Sequence, residues 1–204
     1  KNPKDSTSVA ITNYQNEKRI NYKTDPLGRV LEKGNRGKFT LGISGGAKTF
    51  IGDYSTGNAK PMSCFQIGAA LSRHLYIDSE SGYRGLRVMK RLEDNSMYSD
   101  LSLRYIFLPY DKLTPYLRLG GGVDFSTTGV GLSGDKYLPK ITGSFGIEYM
   151  AKKNLGLSLS SGWDYYLNDR FDGTVNGSYN DASWGISFGL RFYFFKLKQK
   201  VAYF

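Results

Sequence analysis

The fold is decided by residues 184–194, which read Trp-Gly-Ile-Ser-Phe-Gly-Leu-Arg-Phe-Tyr-Phe. Bulky apolar side chains occupy every second position, and mostly small or polar side chains occupy the positions between them. A period of two indicates a β-strand with one apolar face. The run covers 11 residues, a length that crosses a bilayer when the strand is tilted. It therefore predicts a strand long enough to span a membrane.

Seven earlier runs repeat this alternation. Six of them have their apolar positions at Phe39, Leu41, Ile43, Ala47, Ile51; Phe65, Ile67, Ala69, Leu71, Leu75; Leu101, Leu103, Tyr105, Phe107; Leu117, Leu119, Val123, Phe125; Ile141, Phe145, Ile147, Tyr149; and Leu155, Leu157, Leu159, Trp163, Tyr165. The seventh, Leu75–Tyr83, is weaker because serines stand at two expected apolar positions. Eight strands of about ten residues each are predicted.

The predicted connections alternate between short and long. Short turns lie near Ser72–His74, Pro109–Leu113 and Ala151–Asn154, and longer polar loops lie at Gly52–Pro61, Arg87–Ser96, Ser126–Tyr137 and Asn168–Asp181. This rhythm is typical of an all-β, eight-stranded, antiparallel up-and-down transmembrane β-barrel, with short periplasmic turns and long external loops. We therefore expect a bacterial outer-membrane location with both termini periplasmic.

Composition excludes several other classes. The 204 residues have a mean hydropathy of −0.41 and contain no stretch of about 20 apolar residues, which excludes a helical membrane protein. The single cysteine, Cys64, cannot form an internal disulfide and offers no metal framework. We expect no cofactor and no metal, and we interpret Cys64 as a small filler side chain.

The polar face of the strands indicates what the barrel contains. It carries six cationic and six anionic residues, Lys48, Asp78, Glu80, Arg84, Asp100, Arg104, Arg118, Asp124, Lys140, Glu148, Asp164 and Arg191, interleaved with glycine and serine. A soluble barrel with its apolar face inside is the alternative. Balanced charges among small residues fit a crowded lumen, and the uncharged opposite face fits lipid. We interpret the twelve residues as a structural ion-pair network, with a proton or ion path as the alternative.

Aromatic residues provide an independent argument for a membrane barrel. The alternating strand directions place Phe39, Tyr105, Phe107, Tyr149, Phe192 and Phe194 at the short-turn end, and Tyr83, Phe125, Trp163, Tyr165 and Trp184 at the long-loop end. Two aromatic girdles are typical of the two membrane interfaces.

The surplus of positive charge falls largely on the two tails. We divide the chain into an irregular arm (1–37), with a possible short hairpin between Ile20–Lys23 and Arg29–Glu32, a barrel (38–195) and a basic tail (196–204). Residues 1–38 contain nine Lys and Arg against four Asp and Glu, and the tail adds three lysines, out of a total net charge of +10. Periplasmic basic segments favour anionic headgroups or an acidic protein over nucleic acid. A solvated linker is the alternative.

These features resemble the small OmpA/OmpX-like outer-membrane barrels over about residues 36–195. The run 184–194 is similar to their aromatic-rich final strand. Residues 107–116, Phe-Leu-Pro-Tyr-Asp-Lys-Leu-Thr-Pro-Tyr, with Leu119-Gly-Gly-Gly122, resemble the turn between the fourth and fifth strands of Bacteroidota-type barrels, some of which are fused to curli-secretion channel domains. The tail after the final strand departs from the pattern of many such barrels.

Candidate catalytic residues are few. The only histidine, His74, falls at a predicted short turn, away from the outer rim where a barrel enzyme would act, and no serine and acid can be placed beside it. Asp124 and Asp164 could pair near the outer rim, but basic neighbours favour salt bridges. We therefore expect the protein not to be an enzyme.

Small residues on the outward face indicate a possible contact. Ser79, Ser81 and Gly85 lie on the predicted lipid face beside Ser99, and small residues allow close approach of a neighbouring membrane subunit. A β-bulge that reverses the local register is the alternative.

The sequence favours an outer-membrane barrel that is a structural or accessory subunit of a secretion or barrel-assembly machine, contacting outer-membrane lipid and, through its arm, other outer-membrane or periplasmic proteins. One alternative is a stand-alone OmpX-like barrel for adhesion or surface defence, whose loops would extend as stiff strands. A lipid-modifying enzyme is the third hypothesis.

Overall fold

The structure is a computed structural model that describes residues 23–24, 30–31, 36–51, 59–89, 92–126, 137–167, 182–196 and 201–202. Within these ranges, no helix has the length and hydropathy to span a membrane. The predicted arm and the loops around 52–58, 127–136 and 168–181 lie largely or wholly outside the described residues.

Eleven strands are described. They are β1 (Lys23–Thr24), β2 (Val30–Leu31), β3 (Gly37–Ile51), β4 (Lys60–Ala70), β5 (Leu75–Met89), β6 (Leu92–Ile106), β7 (Leu113–Ser126), β8 (Tyr137–Lys152), β9 (Leu155–Tyr166), β10 (Ala182–Lys196) and β11 (Val201–Ala202).

Strands β3 to β10 form a closed barrel in which each strand pairs antiparallel with its neighbours in the chain. The barrel closes where β10 pairs with β3, from Ala182 opposite Ile51 to Lys196 opposite Gly37. This confirms the predicted eight-stranded up-and-down barrel. We call the end that carries the turns at 71–74, 107–112 and 153–154 the short-turn end, and the opposite end the long-loop end.

Alternation along the strands separates an apolar outer wall from a polar lumen. In β10, the side chain of Ile186 is 48% exposed and that of Phe188 is 55% exposed, whereas Arg191 is buried. A water-soluble barrel has the opposite distribution, with its apolar face packed inside. All the predicted girdle aromatics are exposed except Phe125, which is half-buried.

The predicted long loop at Arg87–Ser96 is wrong. Strand β5 continues to Met89 and β6 begins at Leu92, with Arg87 paired to Glu93. Alternation reports which face is apolar, whereas strand pairing needs only backbone hydrogen bonds. The ladder therefore extends beyond the point where the alternating pattern fades.

The weakest predicted strand has a regular register. Ser79 pairs with Ile67 and Ser81 pairs with Phe65, and the only shift along the β5–β6 ladder lies between Arg87 and Met89. A bulge in the serine-containing segment, which was the alternative explanation, is therefore excluded. The outward serines are a feature of the wall itself.

A second compact unit contains residues 1–33 and 198–204, while the barrel unit is Gly34–Leu197. In the second unit, β2 pairs with both β1 and β11, with Lys23 and Val201 each opposite Leu31. The predicted tail of 196–204 thus contributes a strand that the sequence did not indicate, and the described part of the arm is not irregular.

Candidate functional site

The twelve charged residues predicted for the lumen lie in three ion-paired groups, one around Lys140, one around Glu148 and the pair of Glu80 and Arg118. All are buried except Lys48 and Arg118, whose side chains are 11% and 15% exposed, and each lies in an ion pair with another member. These residues come from every barrel strand except β4, and their ion pairs link one side of the barrel to the other, as between Lys48 on β3 and Asp164 on β9. The set contains equal numbers of cations and anions.

At the long-loop end, the Lys140 ammonium lies among three carboxylates. Its Nζ is 3.0 Å from Asp100 Oδ1, 3.1 Å from Asp124 Oδ1 and 3.4 Å from Asp164 Oδ2. The same nitrogen lies 4.5 Å from the centre of the Tyr98 ring, a cation–π distance. A buried ammonium needs this number of partners because burial removes its hydration.

Asp164 is the most heavily contacted carboxylate of this group. Its Oδ2 accepts hydrogen bonds from Lys48 Nζ at 2.5 Å and from Arg84 Nη1 at 2.6 Å. Arg84 also pairs with Asp124 and donates to the Tyr166 hydroxyl. The predicted pair of Asp124 and Asp164 is therefore neutralised by shared cations.

Glu80 connects the two halves of the lumen. It pairs with Arg118, accepts a hydrogen bond from Tyr98 Oη at 2.9 Å and accepts another from Gln66 Nε2 at 2.9 Å. Both carboxylate oxygens are therefore used, as a buried carboxylate requires.

Nearer the short-turn end, Glu148 is surrounded by arginines. Its carboxylate lies 2.8 Å from Arg36 Nε, 2.9 Å from Arg191 Nη1 and 3.6 Å from Arg104 Nη1, and it accepts a hydrogen bond from Tyr193 Oη at 2.8 Å. Glu148 carries one negative charge and the three arginines carry three positive charges, so Glu148 alone does not neutralise them.

Asp78 supplies the second anion of this group. Its carboxylate accepts a hydrogen bond from Arg104 Nε at 2.6 Å. The arginine thereby bridges two acidic residues, and its guanidinium also lies 4.7 Å from the centre of the Tyr76 ring.

Arg36 also belongs to the group around Glu148, although the sequence pattern placed it in the arm. Its side chain is 2% exposed, and its Nη1 donates to the carbonyl oxygens of Pro109 at 2.9 Å and Asp111 at 3.3 Å. Arg36 precedes the first alternating run, so the periodic pattern gives no signal for it. The structure places it at the end of the lumen, where it joins the start of β3 to the turn at 107–112.

An apolar layer packs the lumen near the short-turn end. Tyr76, Ile106, Tyr116, Met150 and Tyr193 form a buried cluster, and the Tyr76 hydroxyl donates to the carbonyl of Gly37 at 3.0 Å. A cavity beside the ion pairs has a volume of about 30 Å³. The described lumen is thus filled by side chains, as expected for eight strands.

The outer wall contains a groove of about 920 Å³ above strands β3 to β6, with its rims on β7 and β10. Its floor includes the small residues Gly45, Ser63 and Ser81, and bulky residues such as Phe65 and Phe188 form its sides. Gly45 pairs with Ser63 across the β3–β4 ladder. Small side chains in register on adjacent strands create the groove.

The four predicted contact residues lie on or beside this groove. Ser79 and Ser81 are exposed, while Gly85 and Ser99 are half-buried. The hydroxyls of Ser81 and Ser99 are 3.2 Å apart across the β5–β6 ladder. Of the four, Ser81 lines the groove itself.

The remaining sequence candidates have local partners. His74 stacks on Tyr105 with ring centres 5.6 Å apart, and its Nδ1 lies 2.9 Å from the carbonyl oxygen of Ile106. The Cys64 thiol is buried, 2.8 Å from the Ser44 hydroxyl. Among the described residues, no group of three or more His, Cys, Asp and Glu side chains is arranged to hold a metal ion.

No protein-family model matches the chain, and no curated protein matches its sequence. Several solved structures do match. Neisserial surface protein A superposes with a TM-score of 0.62 at 16% identity, over 76% of this chain and 97% of that one. The N-terminal β-barrel domain of Pseudomonas aeruginosa OprF gives 0.52 at 18% identity, over 78% and 100%.

The outer membrane protein OprG from Pseudomonas aeruginosa gives a TM-score of 0.50 at 12% identity, over 79% of this chain and 98% of that one. At these identities the comparison establishes the fold. The chain has the fold of the small eight-stranded outer-membrane β-barrels.

Proposed function

We propose that the protein is an integral outer-membrane β-barrel and, without catalysing a reaction, a structural subunit of a larger outer-membrane assembly. The apolar outer wall supports the membrane location. A charged side chain facing lipid at the bilayer midplane costs about 2–4 kcal/mol. None of the described charged side chains lies on the outer wall between its two ends.

The filled lumen argues against a diffusion channel. Its charges are paired, and the cavity beside them is about 30 Å³. A barrel of this kind contributes through its outer wall and its two ends rather than through a pore.

The groove on the outer wall is the observation that carries the proposal of a subunit. Its floor of small side chains lets another membrane-embedded backbone approach closely, and close approach is what drives association inside a bilayer. The Ser81 and Ser99 hydroxyls beside it can also hydrogen-bond to a partner. Secretion or barrel assembly is the setting that the resemblance to curli-associated barrels favours.

In this proposal the short-turn end, the arm and the basic tail face the periplasm. Periplasmic turns are the shorter ones in outer-membrane barrels, and the described turns at 71–74 and 153–154 are short. Partner proteins would then reach the arm from the periplasmic side.

Filling the groove tests the proposal. Ser81→Trp places a bulky side chain on its floor, and Ile147→Trp, at an outward position 44% exposed on β8, is the matched control. We expect tagged wild-type protein and the Ile147 variant to retain co-purifying membrane proteins in mild detergent, and the Ser81 variant to lose them. Identical partner sets in all three proteins, or no partner for the wild type, would contradict the proposal.

The β5–β6 hairpin supports a second candidate, a stand-alone barrel for adhesion or surface defence. Strand β4 pairs with β5 only as far as Met62 opposite Arg84, and β7 pairs with β6 only as far as Ser126 opposite Ser96. The β5–β6 pairing continues beyond these points to Met89 opposite Leu92, so the tip of the hairpin extends past the described ends of the neighbouring strands. If this hypothesis holds, replacing residues 87–93 by Asn-Gly, which keeps the pair of Leu86 and Asp94, will abolish attachment of expressing cells to host-cell surfaces, while the Ile147→Trp barrel will attach normally. Equal attachment would argue against it.

A further inference from the structure

The short-turn end of the barrel carries six charged side chains besides the lumen ion pairs. Among the barrel side chains that the structure describes, they are Lys38, Arg73, Asp111, Lys112, Lys152 and Lys153. Five of the six are cationic.

Three of these cations come from adjacent turns. The N–H of Met150 donates to the carbonyl of Lys112 at 2.7 Å, so the 107–112 turn lies against the end of β8. Lys152 ends that strand, and Lys153 begins the tight turn that leads into β9. All three lysines are exposed, and the ion pairs between described residues do not include them.

An exposed apolar surface lies directly next to the lysines. Leu113 pairs with Tyr149 across the β7–β8 ladder, and their side chains are 55% and 47% exposed. Ile147 continues the surface toward the middle of the wall and is 44% exposed. Cations above an apolar strip match the phosphate and the acyl chains of a lipid.

We infer that Lys112, Lys152 and Lys153 bind the phosphate of an anionic glycerophospholipid, whose acyl chains lie along Leu113 and Tyr149. The inference rests on the proposed function, because it requires a membrane-inserted barrel with its short-turn end in the phospholipid leaflet. An acidic protein would also be attracted by the lysines, but it would leave the neighbouring apolar strip uncovered. Each lysine near an anionic headgroup contributes about a fivefold preference at low salt.

Native mass spectrometry of the full chain, released from nanodiscs containing equal phosphatidylglycerol and phosphatidylcholine, tests this site. We expect phosphatidylglycerol adducts of the wild type to exceed phosphatidylcholine adducts about fivefold or more. The triple variant Lys112→Gln/Lys152→Gln/Lys153→Gln should bind both lipids equally. The corresponding triple Lys→Arg variant should keep the preference, because it keeps the charges.

Single substitutions provide the matched comparison. Lys112→Gln should reduce the preference, while Lys60→Gln at the long-loop end should leave it unchanged. Equal adducts of both lipids on the wild type, or a preference that survives the triple Gln substitution, would overturn the inference. Protection of the barrel from protease in the same nanodiscs is scored separately: unprotected protein refutes the proposed membrane barrel, whereas protected protein without lipid preference refutes only this site. The inference would also be overturned if the wild type showed no preference between the two lipids while an acidic protein bound to the three lysines.

Discussion

Replacing Glu148 by Gln should lower the free energy of unfolding of the barrel by about 3–5 kcal/mol, the range for removing one partner of a buried ion pair. Gln has nearly the same shape as Glu, so the substitution creates no cavity and no clash. It removes only the negative charge that lies between Arg36, Arg104 and Arg191.

The magnitude follows from the charges around Glu148. Three arginines and two acids, Glu148 and Asp78, make up the group, so its net charge rises from +1 to +2 on substitution. The Glu148 side chain is 1% exposed, and solvent therefore screens the change very little. Tyr193→Phe removes the hydroxyl that donates to the same carboxylate and accepts a hydrogen bond from Arg104 Nη1 at 3.3 Å, and it should cost about 1.5–3 kcal/mol.

Urea unfolding of barrels refolded into phospholipid vesicles measures the effect. The exposed Trp163 and Trp184 report the transition by fluorescence. Asp111→Asn, at an exposed turn position, is the control and should change stability by less than about 0.5 kcal/mol.

Two results would refute the reasoning. If Glu148→Gln lowered the free energy of unfolding by less than about 1 kcal/mol, the effect would be close to that of an ordinary surface substitution. Strictly additive losses in the double variant Glu148→Gln/Arg191→Gln would show that uncompensated positive charge is not the cause, since removing a cation should restore part of the stability.

Three further outcomes are expected. Lys140→Met removes the ammonium that pairs with three buried aspartates and should cost about 3–5 kcal/mol in the same urea titration, whereas an effect below about 1 kcal/mol would argue against the cluster. Gly120→Leu should prevent refolding, scored by gel mobility without boiling, because even a Cβ there would lie 2.6 Å from the backbone Cα of Ser102, its partner in the β6–β7 ladder; a folded, heat-modifiable variant would contradict this. Wild-type protein in planar bilayers should show no sustained conductance, and a stable open channel would be incompatible with the filled lumen.

The sequence predicted the barrel because the two sides of its wall have opposite chemistry. Each strand must present apolar side chains to one side and polar ones to the other, so Ile186 and Arg191 could be assigned to faces without any structure. The same argument placed all twelve lumen residues on the inner face.

Which lumen residues meet could not be predicted in the same way. Alternation assigns a face, but the neighbours across the lumen depend on shear and tilt, which bring Lys48 on β3 to Asp164 on β9. Arg36 was missed because it enters the lumen from outside the periodic segment. The paired continuation of β5 past Arg87 and the strand at Val201–Ala202 were missed because backbone pairing leaves no compositional signal.

Closure by the first and last barrel strands gives the folding reaction an all-or-none character. The partners Lys48 and Asp164 are 116 residues apart in sequence. Strand β3 can pair with β10 only after the six strands between them have been synthesised and have folded into the sheet. Contacts of such long range form late and slowly. A chain that stops before residue 182 would have an open edge and charges with no enclosed interior, so a truncated product would be a substrate for proteolysis rather than a smaller working barrel.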